Sequence, residues 1–241
     1  MKIMKLFEAK QKKLWDAKIP TIAFLGDSVT QGCFELYVKA NGKEFATYFD
    51  KEHSYPRYLS DMLAQLYPSV PVNIVNAGVS GSNAPHGLQR LERDVLSQKP
   101  DLTVVCFGLN DCFEGDTDKY HNSLVEIFKR LQENGSEVIF MTPNMMNTEM
   151  SCHISEDVIR KTAEITMRLQ SDGTMDRFVE SGREAARKCG VKICDVYKKW
   201  KMLAENGVQT TELLANYVNH PTREMNKIFA YSLIETMMSE I

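Results

Sequence analysis

Long hydrophobic runs are missing from these 241 residues: no stretch of apolar side chains approaches the roughly 20 needed to cross a bilayer. Met1 to Lys18 scatters Lys2, Lys5, Lys10, Lys12, Lys13 and Lys18 among apolar residues. It lacks the unbroken apolar core and small-residue cleavage site of an export signal, so a soluble chain with no membrane partner is expected. Charge of one sign is missing too. Against 32 Asp plus Glu stand 29 Lys plus Arg, a formal net charge of −3, so no field draws the protein to nucleic acid. A small neutral or mixed-polarity molecule suits that balance better. Cysteine is sparse, and Cys33, Cys106, Cys112, Cys152, Cys189 and Cys194 form neither a CxxC pair nor a dense framework. That speaks against metal clusters and disulfide staples, and for reduced thiols in the cytoplasm. No repeat, low-complexity tract or linker rich in proline, glycine or serine divides the chain, so one domain over residues 1–241 is expected.

What is present is alternation. Ile19 to Leu25, Val72 to Val75, Leu102 to Phe107, Val138 to Met141 and Val191 to Cys194 are short, β-rich and too continuously apolar for half-exposed antiparallel strands. Between them, Tyr55 to Tyr67, Pro85 to Ser97, Asp118 to Asn134 and Asp172 to Cys189 have helical period, and a last helix is expected from about Thr222 to Met238. The expected class is α/β with a five-stranded parallel sheet. Two stretches break the rhythm. Cys33 to Ser54 carries Phe34, Tyr37, Phe45, Tyr48, Phe49 and His53 among polar residues, and reads equally as a lid-like hairpin or loop over a pocket and as an aromatic anchor for an insertion. Pro143 to Ser155 holds Met145, Met146 and Met150, which suit either an adaptable apolar surface or, more simply, core packing.

Four short pieces carry the chemistry: Gly26-Asp27-Ser28 after the first strand, Asn76-Ala77-Gly78 after the second, Gly108-Leu109-Asn110-Asp111 after the third, and Asn219-His220-Pro221 before the last helix. Taken singly, each reads as local structure. The first and third are then turns with helix caps; Gly78 to Gly81 is a tight turn or a phosphate cradle, though its spacing misses GxGxxG; His220 is a surface histidine. Taken together they sit where an open parallel sheet gathers its ligand site, beyond the carboxyl ends of the strands. Ser28 is then a candidate nucleophile in a strand-to-helix turn, with a helix N-terminus beside it, and His220 a candidate base. The Gly78 amide and the Asn110 side chain are candidate donors to the charge that develops on an attacked carbonyl.

The order of these residues resembles the SGNH hydrolases, also called the GDSL esterase and lipase family, over nearly the whole chain. The resemblance implies a flavodoxin-like, three-layer α/β/α fold. It implies Ser28 as nucleophile, His220 as base, and the Ser28 amide, Gly78 amide and Asn110 side chain as the oxyanion hole. It implies no metal or organic cofactor. One position departs: many members place an aspartate three residues before the histidine, and here Tyr217 stands there. The imidazole is then expected to be held by a backbone carbonyl or the side chain of Asn216 or Asn219, ahead of a distant acid such as Asp195 or Glu212.

These residues predict a serine esterase with a small-molecule ester as its partner, acting on short acyl groups. Acetyl groups on a sugar fit the aromatic-rich insertion, whose rings offer flat faces and polar edges. The missing aspartate keeps a second reading open, a catalytically weak or silent binder of a small ligand. A third is a flavin or nucleotide binder on the same topology.

Overall fold

Thr21–Gly26 (β1) is buried along its whole length, which only a central strand covered on both faces can be. The computed structural model describes residues 1–239. In it β1 pairs in parallel with Asn73–Gly78 (β4) on one side and Leu102–Cys106 (β5) on the other. Glu137–Met141 (β6) and Lys192–Cys194 (β7) continue the sheet beyond β5, so the order is β4-β1-β5-β6-β7, all parallel. A separate antiparallel hairpin, Cys33–Val38 (β2) and Phe45–Phe49 (β3), leaves the sheet just after β1. The expected five strands are all present. Two differ in setting: β4 is an edge strand with much of its surface open, and most of β7 is only half-buried.

Helices cover both faces. Tyr55–Leu66 (α3) packs on the last helix, Arg223–Met238 (α10), which also meets Lys2–Lys12 (α1). Ala84–Asp94 (α4), Thr117–Glu133 (α6) and Thr174–Lys188 (α8) pack side by side as a second layer. Each buries an apolar stripe, in α6 through Leu124, Ile127, Phe128 and Leu131. Among the described residues, three helices of ten or more residues have no counterpart among the expected elements: α1, Asp157–Ser171 (α7) and Val196–Glu205 (α9). In α7 the buried face includes Thr166 and Gln170, and in α9 lysines surround Val196, Tyr197 and Trp200, so the apolar period is diluted in both. Met145 and Met146 are buried in the main core, which settles the Pro143 to Ser155 segment toward packing. Among the described residues no helix is long and apolar enough to cross a membrane.

Two local arrangements set the site. Ser28–Gln31 (α2) is a single turn capped by Asp27, whose Oδ1 accepts the Val29 N–H at 2.9 Å. Thr30, two residues past Ser28, is tied to the Tyr55 hydroxyl at 2.7 Å, and the Tyr55 ring stacks on Phe229 of α10. The hairpin is anchored by a small second cluster, in which Leu36, Val38 and Phe45 pack against Ile159, Ala163 and Val218.

Candidate active site

Ser28 and His220 are 192 residues apart in sequence and in contact in space. Ser28 Oγ lies 3.0 Å from His220 Nε2, both residues buried, in the lining of a cavity of about 610 Å³ that Asn110 also lines. The route that brings His220 there is local. Asn216 Oδ1 accepts the backbone N–H groups of Val218, Asn219 and His220 at 2.9 to 3.0 Å, wrapping the chain into a tight loop around one oxygen. Tyr217 takes the left-handed conformation (φ 57°) that this loop demands, and its ring stacks on His153.

Among the described residues no carboxylate touches the imidazole. Nδ1 instead meets the Phe34 backbone carbonyl at 2.8 Å. A carbonyl only accepts, so Nδ1 carries the proton and Nε2 presents its lone pair to the Ser28 hydroxyl, the tautomer a general base needs. Phe34 is free to do this because the β2–β3 ladder is irregular between Cys33 and Leu36. The other expected candidates are engaged elsewhere. Asn216 and Asn219 hydrogen-bond each other, Asp195 holds Arg183, and Glu212 meets Ser151. Burial pushes the His220 pKa down to about 4, partly offset by the Phe34 hydrogen bond and the charge of Glu35. The ring is therefore neutral at pH 7.

The donors to an oxyanion differ from expectation at one position. Gly78 does not line the cavity; its N–H donates to Asn76 Oδ1 at 2.9 Å. Its lack of a side chain serves packing, since a Cβ there would sit 2.4 Å from the Gln31 nitrogen of α2. Gly81, three residues on, does line the cavity. It has φ +76° with open space where a Cβ would be, and its N–H meets no acceptor among the described residues. Gly81 thus replaces Gly78 as the candidate amide. The Ser28 N–H is likewise uncommitted, and because α2 is one turn long, its help is that single amide rather than a long helix dipole.

Asn110 and its neighbours strap this turn in place. Asn110 Nδ2 donates to the Ser82 carbonyl at 2.9 Å, Asp111 Oδ1 accepts the Ala84 N–H at 2.8 Å, and Asn83 Nδ2 donates to Glu114 at 2.5 Å. Below them the half-buried Arg90 guanidinium donates to the carbonyls of Ala77 and Gly26 at 2.6 and 2.8 Å, binding together the ends of β4 and β1. Burial pushes the carboxyls of Asp27 and Asp111 up to about 7 each, and the charge of Asp27 adds to the rise at Asp111. Phe34, Gly81, Arg90 and the role of Asp111 were not visible in the sequence as site features. Gly81 left a trace as the second glycine of Gly78 to Gly81, Asp111 as the last residue of the third motif, and Phe34 as one of the aromatic residues of the insertion; Arg90 left none.

A strand-end serine, a histidine near the C-terminus and an asparagine after the third strand coincide with a family-wide pattern: the GDSL-like lipase/acylhydrolase model matches residues 24–228. The chain belongs to that family. Among curated relatives, an acetylxylan esterase from Geobacillus stearothermophilus is 32% identical over 90 residues, which cover 37% of this chain and 39% of that protein. An arylesterase from Vibrio mimicus is 31% identical over 91 residues, 37% of this chain and 44% of that one. The matched stretch thus spans about two-fifths of these relatives' length. Solved structures extend the likeness in fold over almost the whole chain. An acetylxylan esterase from G. stearothermophilus superposes with a TM-score of 0.67 at 21% identity, covering 92% of this chain and 97% of that one. A lipase/acylhydrolase from Enterococcus faecalis gives 0.65 at 19%, covering 90% and 94%. The parallel sheet with helices on both faces described above is therefore the fold of these structures.

Proposed function

We propose that this GDSL-family member is a serine esterase that removes short acyl groups, acetyl groups of carbohydrates among them, through an acyl-enzyme on Ser28. The observation that carries this reading is the aligned chain of contacts from Ser28 Oγ to His220 Nε2 (3.0 Å) and from Nδ1 to the Phe34 carbonyl (2.8 Å). Ser28 Oγ attacks the ester carbonyl as Nε2 takes its proton. The Ser28 and Gly81 amides and Asn110 Nδ2 receive the oxyanion, and Nε2–H then protonates the leaving alkoxide. Water repeats the sequence on the acyl-enzyme. The Phe34 carbonyl preserves the tautomer and ring orientation that a triad acid would set; what it lacks is the full negative charge that would steady the imidazolium. We place the protein in a reducing compartment such as the cytoplasm, on the sparse cysteines of its sequence, which form no CxxC pair and no dense framework.

The pH profile tests the base. Because only neutral His220 accepts the Ser28 proton, kcat/KM should rise with pH through about 4, well below the 6.5 of a free imidazole. A flat profile from acid to alkaline pH would remove histidine from the mechanism.

Substrate class is argued from the walls. The hairpin contributes Leu36, Phe45 and Phe49, and Phe113 adds a further ring to the same cavity, whose polar lining includes Ser80, Asn83 and Glu114. Rings with both faces and hydroxyl edges suit such a lining, and the Glu114 carboxylate disfavours anionic substrates. The acetylxylan esterase among the relatives points the same way. Across p-nitrophenyl esters from acetyl to long chains, kcat/KM should be greatest for the shortest acyl groups, and acetylated xylo-oligosaccharides should release acetate. Efficiency that climbs steadily with chain length would transfer the protein to the lipases. Tyr217 at the usual acid position favours one other reading, a silent ligand-binding member. A fluorophosphonate that adds no mass to the protein would support it.

A further inference from the structure

We infer that Glu35, Arg223 and Asp50 form a positioning clamp that does for His220 what a triad acid does elsewhere, by fixing the Phe34 carbonyl. The inference rests on the reading of His220 as base. A backbone carbonyl in a short hairpin is a weak orienter unless the hairpin cannot slide, and Phe34 sits at the ladder's irregularity, where strand pairing alone does not hold it.

What holds it is Arg223, three residues after His220 and the first residue of α10. Its guanidinium forks onto both carboxylate oxygens of Glu35, the residue after Phe34, with Nη2 to Oε2 at 3.1 Å. Its Nε donates to Asp50 Oδ2 at 2.7 Å, beyond the end of β3, and Asp50 N in turn donates to the Gly32 carbonyl at 2.8 Å. The guanidinium carbon lies 4.4 Å from the centre of the Phe34 ring, which is fully buried. One side chain therefore joins both feet of the hairpin, and the aromatic ring between them, to the segment that carries His220. The three charged side chains are a quarter to two-fifths exposed, where ion pairs add little to stability. A planar fork is suited to geometric restraint rather than to strength. The cluster also leaves one net negative charge near the imidazole, of which Glu35 is the member that acts on it.

The test is steady-state kinetics on an acetyl ester with wild type, Arg223→Met, Arg223→Lys, Glu35→Gln and His220→Ala, each checked by thermal melting. In Arg223→Met, kcat should fall by about 10²-fold with KM little changed, as expected for misplacement of a base by a fraction of an ångström to an ångström. Arg223→Lys keeps the charge without the fork and should recover part of that loss. Glu35→Gln, a milder change, keeps the folding question separate and should lower kcat by a smaller factor in the same direction. The Nδ1–H proton resonance of His220 should broaden or shift in Arg223→Met and move less in Arg223→Lys. Full kcat in both Arg223→Met and Glu35→Gln, while His220→Ala is inactive, overturns the clamp alone. A fall in kcat matched by a rise in KM, with the Nδ1–H resonance unmoved, also overturns it. Activity that survives His220→Ala removes the reading beneath it.

Discussion

Turnover of an acetyl ester should fall by about 10⁴- to 10⁶-fold when His220 is replaced by alanine, and Ser28→Ala should do the same. In the proposed mechanism the two act as one unit: at 3.0 Å the ring nitrogen is, among the described residues, the hydrogen-bond partner of Ser28 Oγ that can take its proton. Without it, proton loss must go to water in a buried site, and the alkoxide it would leave is poorly solvated. The double variant should therefore be hardly worse than either single one, because the second change removes a group already idle. Intact-mass measurement after a fluorophosphonate gives an independent readout. One adduct is expected on wild type, none on Ser28→Ala, and a slow one on His220→Ala. An adduct on another residue, or turnover preserved in either variant, would break the assignment.

Asn110→Ala should lower kcat by roughly 10²- to 10³-fold, a loss of about 3 kcal/mol of transition-state stabilisation, with KM nearly unchanged. The side chain is set for that role before substrate arrives. One Nδ2 hydrogen is spent on the Ser82 carbonyl at 2.9 Å, which fixes the amide plane and leaves the other uncommitted in a side chain that lines the same cavity as Ser28 and His220. The same bond couples Asn110 to the Gly81 turn, so the two donors are held as a pair. Asn110→Asp is the sharper control. It preserves shape but substitutes an acceptor for the donor, and a carboxylate beside a developing oxyanion should be at least as damaging as alanine. Equal kcat in wild type and Asn110→Ala would place the charge elsewhere in the site.

Much of this was legible before any coordinates. Ser28, Asn110 and His220 stand out because each follows or precedes a strongly patterned element, and parallel sheets collect such positions at one edge. The five strands were readable for the same reason: continuous apolar runs of that length have few other uses. Helices α7 and α9 were not, because their buried faces mix polar or lysine-flanked positions into the stripe. Gly78 and Gly81 are indistinguishable in sequence as donors. Which amide is free turns on whether a nearby side-chain oxygen claims it, and Asn76 claims that of Gly78.

Local residue order decided which elements form and which chemical groups are on offer, because strand and helix patterning and turn chemistry act over a few neighbouring residues. The folded chain alone decided who meets whom. The partner of the His220 ring is a carbonyl 186 residues away, and a carbonyl is common to every residue, so no side-chain identity marks Phe34 for the task. Its selection came from a ladder irregularity and from the Arg223 bridge between hairpin and helix, contacts between segments far apart in the chain that exist only once the layers have packed.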